Sequence, residues 1–132
     1  MRFYSAGNMY LSSIQQGIQA AHCLGEMALE HTGNKMFEDW LSIHKTLICV
    51  NGGNNASLQE LHTLFTEADN PGYPVAHFCE DEQSMAGMLT TVGIIVPEKI
   101  YGIDPADANT WAGLSEWEVR LALALKRLPL AR

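Results

Sequence analysis

Gln15, Gln19, His22 and Glu26 follow one another at spacings of four, three and four. A helix through them carries amides, an imidazole and a carboxylate along one face. His22 is the member whose ordinary titration falls between pH 5 and 8, which suits proton transfer. A helical histidine is more often a hydrogen-bonded, half-buried packing group, and that is the plainer expectation here. The other chemistry-bearing stretch is the acidic turn Glu80-Asp81-Glu82. Such a turn is usually just solvated; for one of its carboxylates to act with His22, the fold must bring it to the helix face. His31, His44 and His62 offer no ligand spacing with His22, and Cys23, Cys49 and Cys79 are an odd number without close spacing. That argues against a zinc cluster and a disulfide framework, and leaves buried reduced thiols as the expectation. No phosphate-loop, dinucleotide-binding, His-Glu-x-x-His or Cys-x-x-Cys motif occurs, which removes the most specific motif-based readings. Gly52-Gly53 is too little for a phosphate cradle and reads as a tight strand-to-helix turn.

These residues need elements to hold them. Ser12 followed by Gln15 fits a capping box and starts a helix that runs to about Glu30, where Thr32-Gly33-Asn34 stops it. A second row on this helix, Gly17, Ala20, Ala21, Leu24 and Ala28, is small enough for close packing. Met36 to Ile43 reads as a short second helix. Strands are expected at residues 2–6, at Thr46 to Val50, at Pro74 to Cys79 and at Leu89 to Val96. The second of these is apolar on both faces, as a central strand should be. Ser57 with Glu60 reads as another capping box, opening a helix with the stripe Leu58, Leu61, Leu64, Phe65 and Ala68. Residues 97–113 read as loop. Ser115 with Glu118 caps a final helix, about 115–128, with the stripe Trp117, Leu121, Ala124, Leu125 and Leu128. The order β-α-α-β-α-β-β-α implies the α/β class: a mixed sheet with helices on both faces. Ligands of such sheets bind beyond the carboxyl ends of the strands. That points to Ser12–Gln19, Asn51–Asn55 and Glu80–Asp81.

The chain has 132 residues, 47% of them hydrophobic, which fits a single domain over 1–132. No apolar run reaches the ~20 residues of a membrane span, and the N-terminus lacks a secretory segment, so a cytoplasmic location without membrane contact is expected. Fifteen acidic against eight basic residues leave a net charge of −7. Counterion release from nucleic acid therefore gives the whole chain no help, and any such contact must be local. Arg120, Lys126, Arg127 and Arg132 hold half of the Lys and Arg and are the local candidate, although complementing the helix dipole is the plainer role of a basic helix end.

The segment Gln15-x-x-x-Gln19-x-x-His22, at a helix start after a short strand, resembles the G-K-x-A-A-Q-x-x-H segment of the archaeal and eukaryotic type of peptidyl-tRNA hydrolase, called type 2. The order of motifs continues: Trp40, then Lys45-Thr46-Leu47-Ile48 entering a strand, is similar to that family's W…K-hydrophobic strand. Ser57 to Ala68 resembles its E-L-x-x-L helix. Pro74 to Asp81 and Thr90-Thr91-Val92-Gly93-Ile94-Ile95-Val96-Pro97 resemble its last two strands. The resemblance spans about residues 2–101 and is strongest to divergent versions from phage genomes. It implies a four-stranded mixed sheet between helices, and hydrolysis of the ester joining a peptide to the 3′ end of tRNA, without a cofactor. It further implies that His22, Asp81 and Thr90 are catalytic, and that Gln15, Gln19 and Glu80 bind substrate, with Glu80 the alternative occupant of the acidic position. The family's lysine falls where this chain has Gln15. The alternative expectation is an inactive homologue, a phage factor that binds protein or RNA. Candidate partners are thus peptidyl-tRNA, a second copy of the chain and a host protein.

Overall fold

A computed structural model of the chain describes residues 1–80 and 88–131. Four strands, β1 (Arg2–Gly7), β2 (Thr46–Asn51), β3 (Val75–Cys79) and β4 (Leu89–Val96), form one open mixed sheet in the order β2-β1-β4-β3. β1 and β2 are parallel, with Gly7 opposite Asn51, and their connection runs through the helices α1 (Ser13–Glu30) and α2 (Lys35–Asp39). β4 lies antiparallel to both β1 and β3. The carboxyl ends of β1, β2 and β3 therefore share one end of the sheet with the start of β4.

Alternation along the strands splits the core in two. Phe3 and Ile95 point to one side, where they meet Cys23 and Met27 of α1, Phe37 of α2 and Trp40. Ala6, Val50, Val92, Ile94 and Val96 point to the other, against α3 (Asn55–Phe65) and the final helix. Helices thus cover both faces, as the element order implies. Two short elements occupy the segment read as loop: α4 (Glu98–Tyr101) and a 3-10 turn at Ala108–Trp111. The final helix is α5 (Glu116–Arg127), with the Ser115–Glu118 capping box in place.

Four local readings are corrected. β2 is an edge strand, not a central one; its outer edge is covered by the chain's own tail, where Asn51 N–H donates to Pro129 O at 2.7 Å and Ala131 N–H to Cys49 O at 3.0 Å. That cover lets an edge strand keep an apolar sequence. α3 starts earlier than read: Asn54, not Ser57, is its cap, accepting from Ser57 N–H at 2.9 Å, and the positive φ of Gly53 (84°) turns the chain into it. The buried face of α1 is Gln16, Gln19, Ala20, Cys23 and Met27; of the small row Ala20 is buried and Leu24 and Ala28 pack half-buried beside it, while Gly17 and Ala21 are exposed. Of the three thiols only Cys23 is buried, while Cys79 is exposed on β3.

Cys23 is packed closely between α1 and the sheet. A Cβ on Gly93 would lie 2.7 Å from the Phe3 ring and 2.9 Å from Cys23 Sγ, so β4 needs glycine there. On the opposite side, Glu118 accepts from Ser115 N–H, from the Tyr73 hydroxyl in a short hydrogen bond, and from Lys99 Nζ at 3.0 Å. This buried cluster ties α5 and α4 to the residue that leads into β3.

Candidate functional site

The first turns of α1 lie over the carboxyl end of the sheet because Ser12 fixes where the helix begins. Its hydroxyl accepts from Gln15 N–H at 3.2 Å, and Gln15 Oε1 accepts from Ser12 N–H at 2.9 Å. One turn on, Gln19 points inward, 6% exposed. Its Nε2 donates to Glu80 Oε1 at 2.6 Å, just past the end of β3. Its Oε1 lies 3.0 Å from the hydroxyl of Thr90, which is fully buried on β4. The same hydroxyl lies 3.0 Å from Phe78 O. A hydroxyl has one hydrogen, so it serves only one of these two acceptors at a time. His22 stacks on the Phe78 ring at 4.6 Å between centroids, with 10° between planes, beside the Gln19–Glu80–Thr90 cluster.

The structure therefore joins residues from three distant segments: Gln19 and His22 on α1, Glu80 after β3 and Thr90 on β4. His22 is exposed and stacked, not a half-buried packing group. One expected member is not in the cluster, and another cannot be placed. Gln15 is exposed and both its backbone and side chain are committed to the cap, and Asp81 lies outside the described residues. Glu26, two turns beyond Gln19, takes no part; it and Glu30 add to the burial that pushes the Cys23 thiol up to about 12. Burial also raises Cys49 and Cys79, so none of the three is poised as a thiolate. Among the described residues no cluster of His, Cys, Asp and Glu could hold a metal ion, and no helix is long and apolar enough to cross a membrane.

Three further residues shape the site; Gln16 and Asn55 fall within stretches expected to border it, but none of the three is a candidate by its own type or spacing. Asn8, fully buried, receives Tyr10 N–H on its Oδ1 and donates through Nδ2 to Leu89 O at 3.2 Å, while its own N–H donates to Thr90 O at 2.9 Å. Asn55 accepts from Leu89 N–H at 3.0 Å. Together they hold the start of β4, and so Thr90, from two sides. Gln16 is 4% exposed; its Nε2 donates to Leu11 O, and its buried Oε1 lies against Gly7 without a hydrogen-bond partner. The only signal these residues carried was position: each amide stands just past a strand end or just inside a helix start.

Asn51–Asn55, the other stretch expected to border a site, opens elsewhere. Its first three residues, Asn51, Gly52 and Gly53, line a groove of about 360 Å³ with Met9, Ser57, Leu128 and Pro129, which adjoins a cavity of about 290 Å³ between α3 and α5; only Asn55 reaches the start of β4. Neither cavity contains Gln19, Glu80 or Thr90. Of the basic residues of α5, Arg127 borders the smaller cavity, and Arg120 is paired with Glu67 at 3.1 Å.

A carboxylate, an amide and a hydroxyl meeting beside an exposed imidazole can orient a water or a sugar hydroxyl and move a proton. Among the described residues acceptors outnumber donors in the cluster, which favours a ligand that brings hydrogens. No protein-family model matches the chain, and a search of curated proteins finds none that matches it.

Proposed function

We propose that the chain is a peptidyl-tRNA hydrolase-like enzyme of the type 2 kind, cleaving the ester between a peptide and the 3′ end of tRNA. The observation that carries the reading is the convergence of Gln19, Glu80 and Thr90 on one point, with His22 alongside. These are four of the positions at which the sequence resembles that family, and they come from three separate segments. In this reading the acidic role falls to Glu80. A water adds to the ester carbonyl and gives its proton to His22 or Glu80; that proton returns to the 3′ oxygen as the carbon–oxygen bond breaks, leaving a peptide acid and a free tRNA hydroxyl. Thr90 and Gln19 orient the ribose hydroxyl, whose hydrogen the cluster can accept, or the carbonyl. The direct assay is release of labelled acyl group from N-blocked aminoacyl-tRNA, with enzyme in excess over substrate. Release well above buffer is expected; release equal to buffer would sink the enzymatic reading.

One observation favours a second reading, a non-catalytic protein- or RNA-binding factor on the same scaffold. The family's lysine position is Gln15, here locked into the helix cap. Gln15→Lys separates the two. Faster hydrolysis shows a site that lacks only the cation, whereas silence in both wild type and variant favours the binding factor.

A further inference from the structure

On the face of the sheet opposite α1, a second crevice opens where α3 and α5 meet. Its two parts, of about 290 Å³ and about 360 Å³, share Gly52, Ser57 and Leu128. The smaller part is apolar within, lined by Leu61 and Leu64 of α3, Ala124 of α5 and Leu128. One wall is the start of the chain's tail. α5 stops at Arg127, Leu128 is extended, and the bonds of Pro129 O and Ala131 N–H to β2 hold the tail in place. The hollow is therefore built into the fold and needs no ligand to form it. Two charges stand at its edge, Glu60 from α3 and Arg127 from α5. Both are exposed, and among the described residues neither has an ion-pair partner, the other included.

We infer that this hollow binds a free α-amino acid with an apolar side chain. The apolar lining suits several ligands, and the two charges decide among them. An apolar carboxylate would pair with Arg127 but set its own charge beside Glu60. An apolar amine would pair with Glu60 and be repelled by Arg127. A ligand with an ammonium and a carboxylate on one carbon, and an apolar body behind them, meets both. Size agrees: about 290 Å³ is at the lower end for a ligand pocket and leaves room for a side chain such as that of leucine or phenylalanine. Ser57 stands where the two parts join; its hydroxyl donates to Asn54 Oδ1 at 3.0 Å, which leaves oxygen lone pairs for the ammonium. None of these residues belongs to the Gln19–Glu80–Thr90 cluster, so the inference stands independently of the hydrolase reading.

The test is an NMR titration of the full chain, read on the backbone amides around Ser57, Leu61, Ala124 and Leu128. Leucine and phenylalanine should each give saturable shifts there, with dissociation constants of about 1 mM or below. Glycine lacks the body, N-acetyl-leucine the ammonium and leucine amide the carboxylate, and each should bind at least about tenfold more weakly. Two variants assign the charges, and both positions are exposed, so the fold tolerates them. Arg127→Met keeps the apolar stem and removes the cation; leucine should weaken about tenfold while leucine amide does not change. Glu60→Gln should weaken leucine as much and leave N-acetyl-leucine unchanged. No saturable shift with either amino acid up to about 20 mM overturns the inference. So does N-acetyl-leucine or leucine amide binding as tightly as leucine, which would make the hollow a site for an apolar anion or amine. A variant that weakens all three leucine ligands equally overturns it too, because its charge would then shape the hollow and not read the ligand.

Discussion

Two clusters in this molecule are built around a glutamate, one buried and one half-buried, and they differ in how fully their hydrogen bonds are met. Glu118 receives donors on both oxygens: Ser115 N–H on Oε1, the Tyr73 hydroxyl and Lys99 Nζ on Oε2. Around Glu80, among the described residues, the count is short, because one Thr90 hydrogen faces two acceptors and a single amide hydrogen of Gln19 reaches one carboxylate oxygen. A saturated buried cluster has nothing left to offer a ligand, and its whole worth lies in the fold. An under-served cluster at the carboxyl end of the sheet gains by completing its bonds with something that arrives. The first should therefore govern stability and the second activity.

The sharpest way to break that division is to remove Glu118. Glu118→Ala takes the acceptor from the buried Tyr73 hydroxyl, while the half-exposed Lys99 ammonium and the exposed Ser115 turn to water, and should cost about 2–3 kcal/mol in urea unfolding. Hydrolysis per folded molecule should not change. A loss of hydrolysis with little loss of stability would assign the cluster to the site instead.

The pH dependence gives an independent reading of the same cluster. Burial alone would raise the Glu118 carboxyl; the bonds from Tyr73 and Ser115 and the charge and bond of Lys99 outweigh it and hold the group at about 2, below its ordinary 4.5. A carboxylate depressed in the fold contributes stability above its unfolded pKa, and that contribution is lost as protons bind the unfolded chain first. Stability should thus fall between pH 4.5 and about 2 by about 2–3 kcal/mol from this group. Glu118→Gln should flatten that part of the profile; an unchanged slope would show that other carboxylates cause it.

The open cluster should respond in the opposite way. Thr90→Val keeps the shape and removes the hydroxyl, leaving Gln19 Oε1 and Phe78 O without their shared donor. About 1–2 kcal/mol of stability should be lost, against a fall of roughly 100-fold in the proposed hydrolysis, about 2.7 kcal/mol of barrier. Glu80→Gln should cost a similar factor in rate and less in stability, since Glu80 is only half-buried. If both variants hydrolyse at the wild-type rate, the difference between the clusters has no bearing on function.

The sequence made the saturated cluster partly legible and the open one hardly at all. Ser115 and Glu118 announce a capping box because both partners lie within one turn, but nothing nearby in sequence predicts that Tyr73 and Lys99 complete it. The strands were legible within a residue or two, because apolar runs between turn residues are local signals. β2 misled because its edge is masked by a tail eighty residues away, and Asn54 was passed over because Ser57, three residues later, is an equally good cap by type. Gln19 and His22 stood out by helical spacing. Their meeting with Glu80 and Thr90 depends on the crossing of β3 and β4, a contact between segments 61 and 71 residues apart, which no local pattern encodes. The resemblance to a known family placed those residues together in expectation, where spacing alone did not.

Gln16 tests the boundary between the two kinds of cluster. It sits one turn before Gln19 on the packed face of α1, nearly as buried as Thr90, yet its Oε1 has no partner and its Nε2 spends one bond on Leu11 O. Gln16→Met preserves length and volume, gives up that one bond, and also removes the stranded acceptor. The two changes oppose each other, so stability should move by less than about 1 kcal/mol and the proposed hydrolysis should hold within a few-fold. A rate loss as large as that of Thr90→Val, with stability unmoved, would show that the unpartnered oxygen takes its missing hydrogen from substrate or from the attacking water. The open cluster would then reach one turn further, to the floor that Gly7 makes beneath the start of α1.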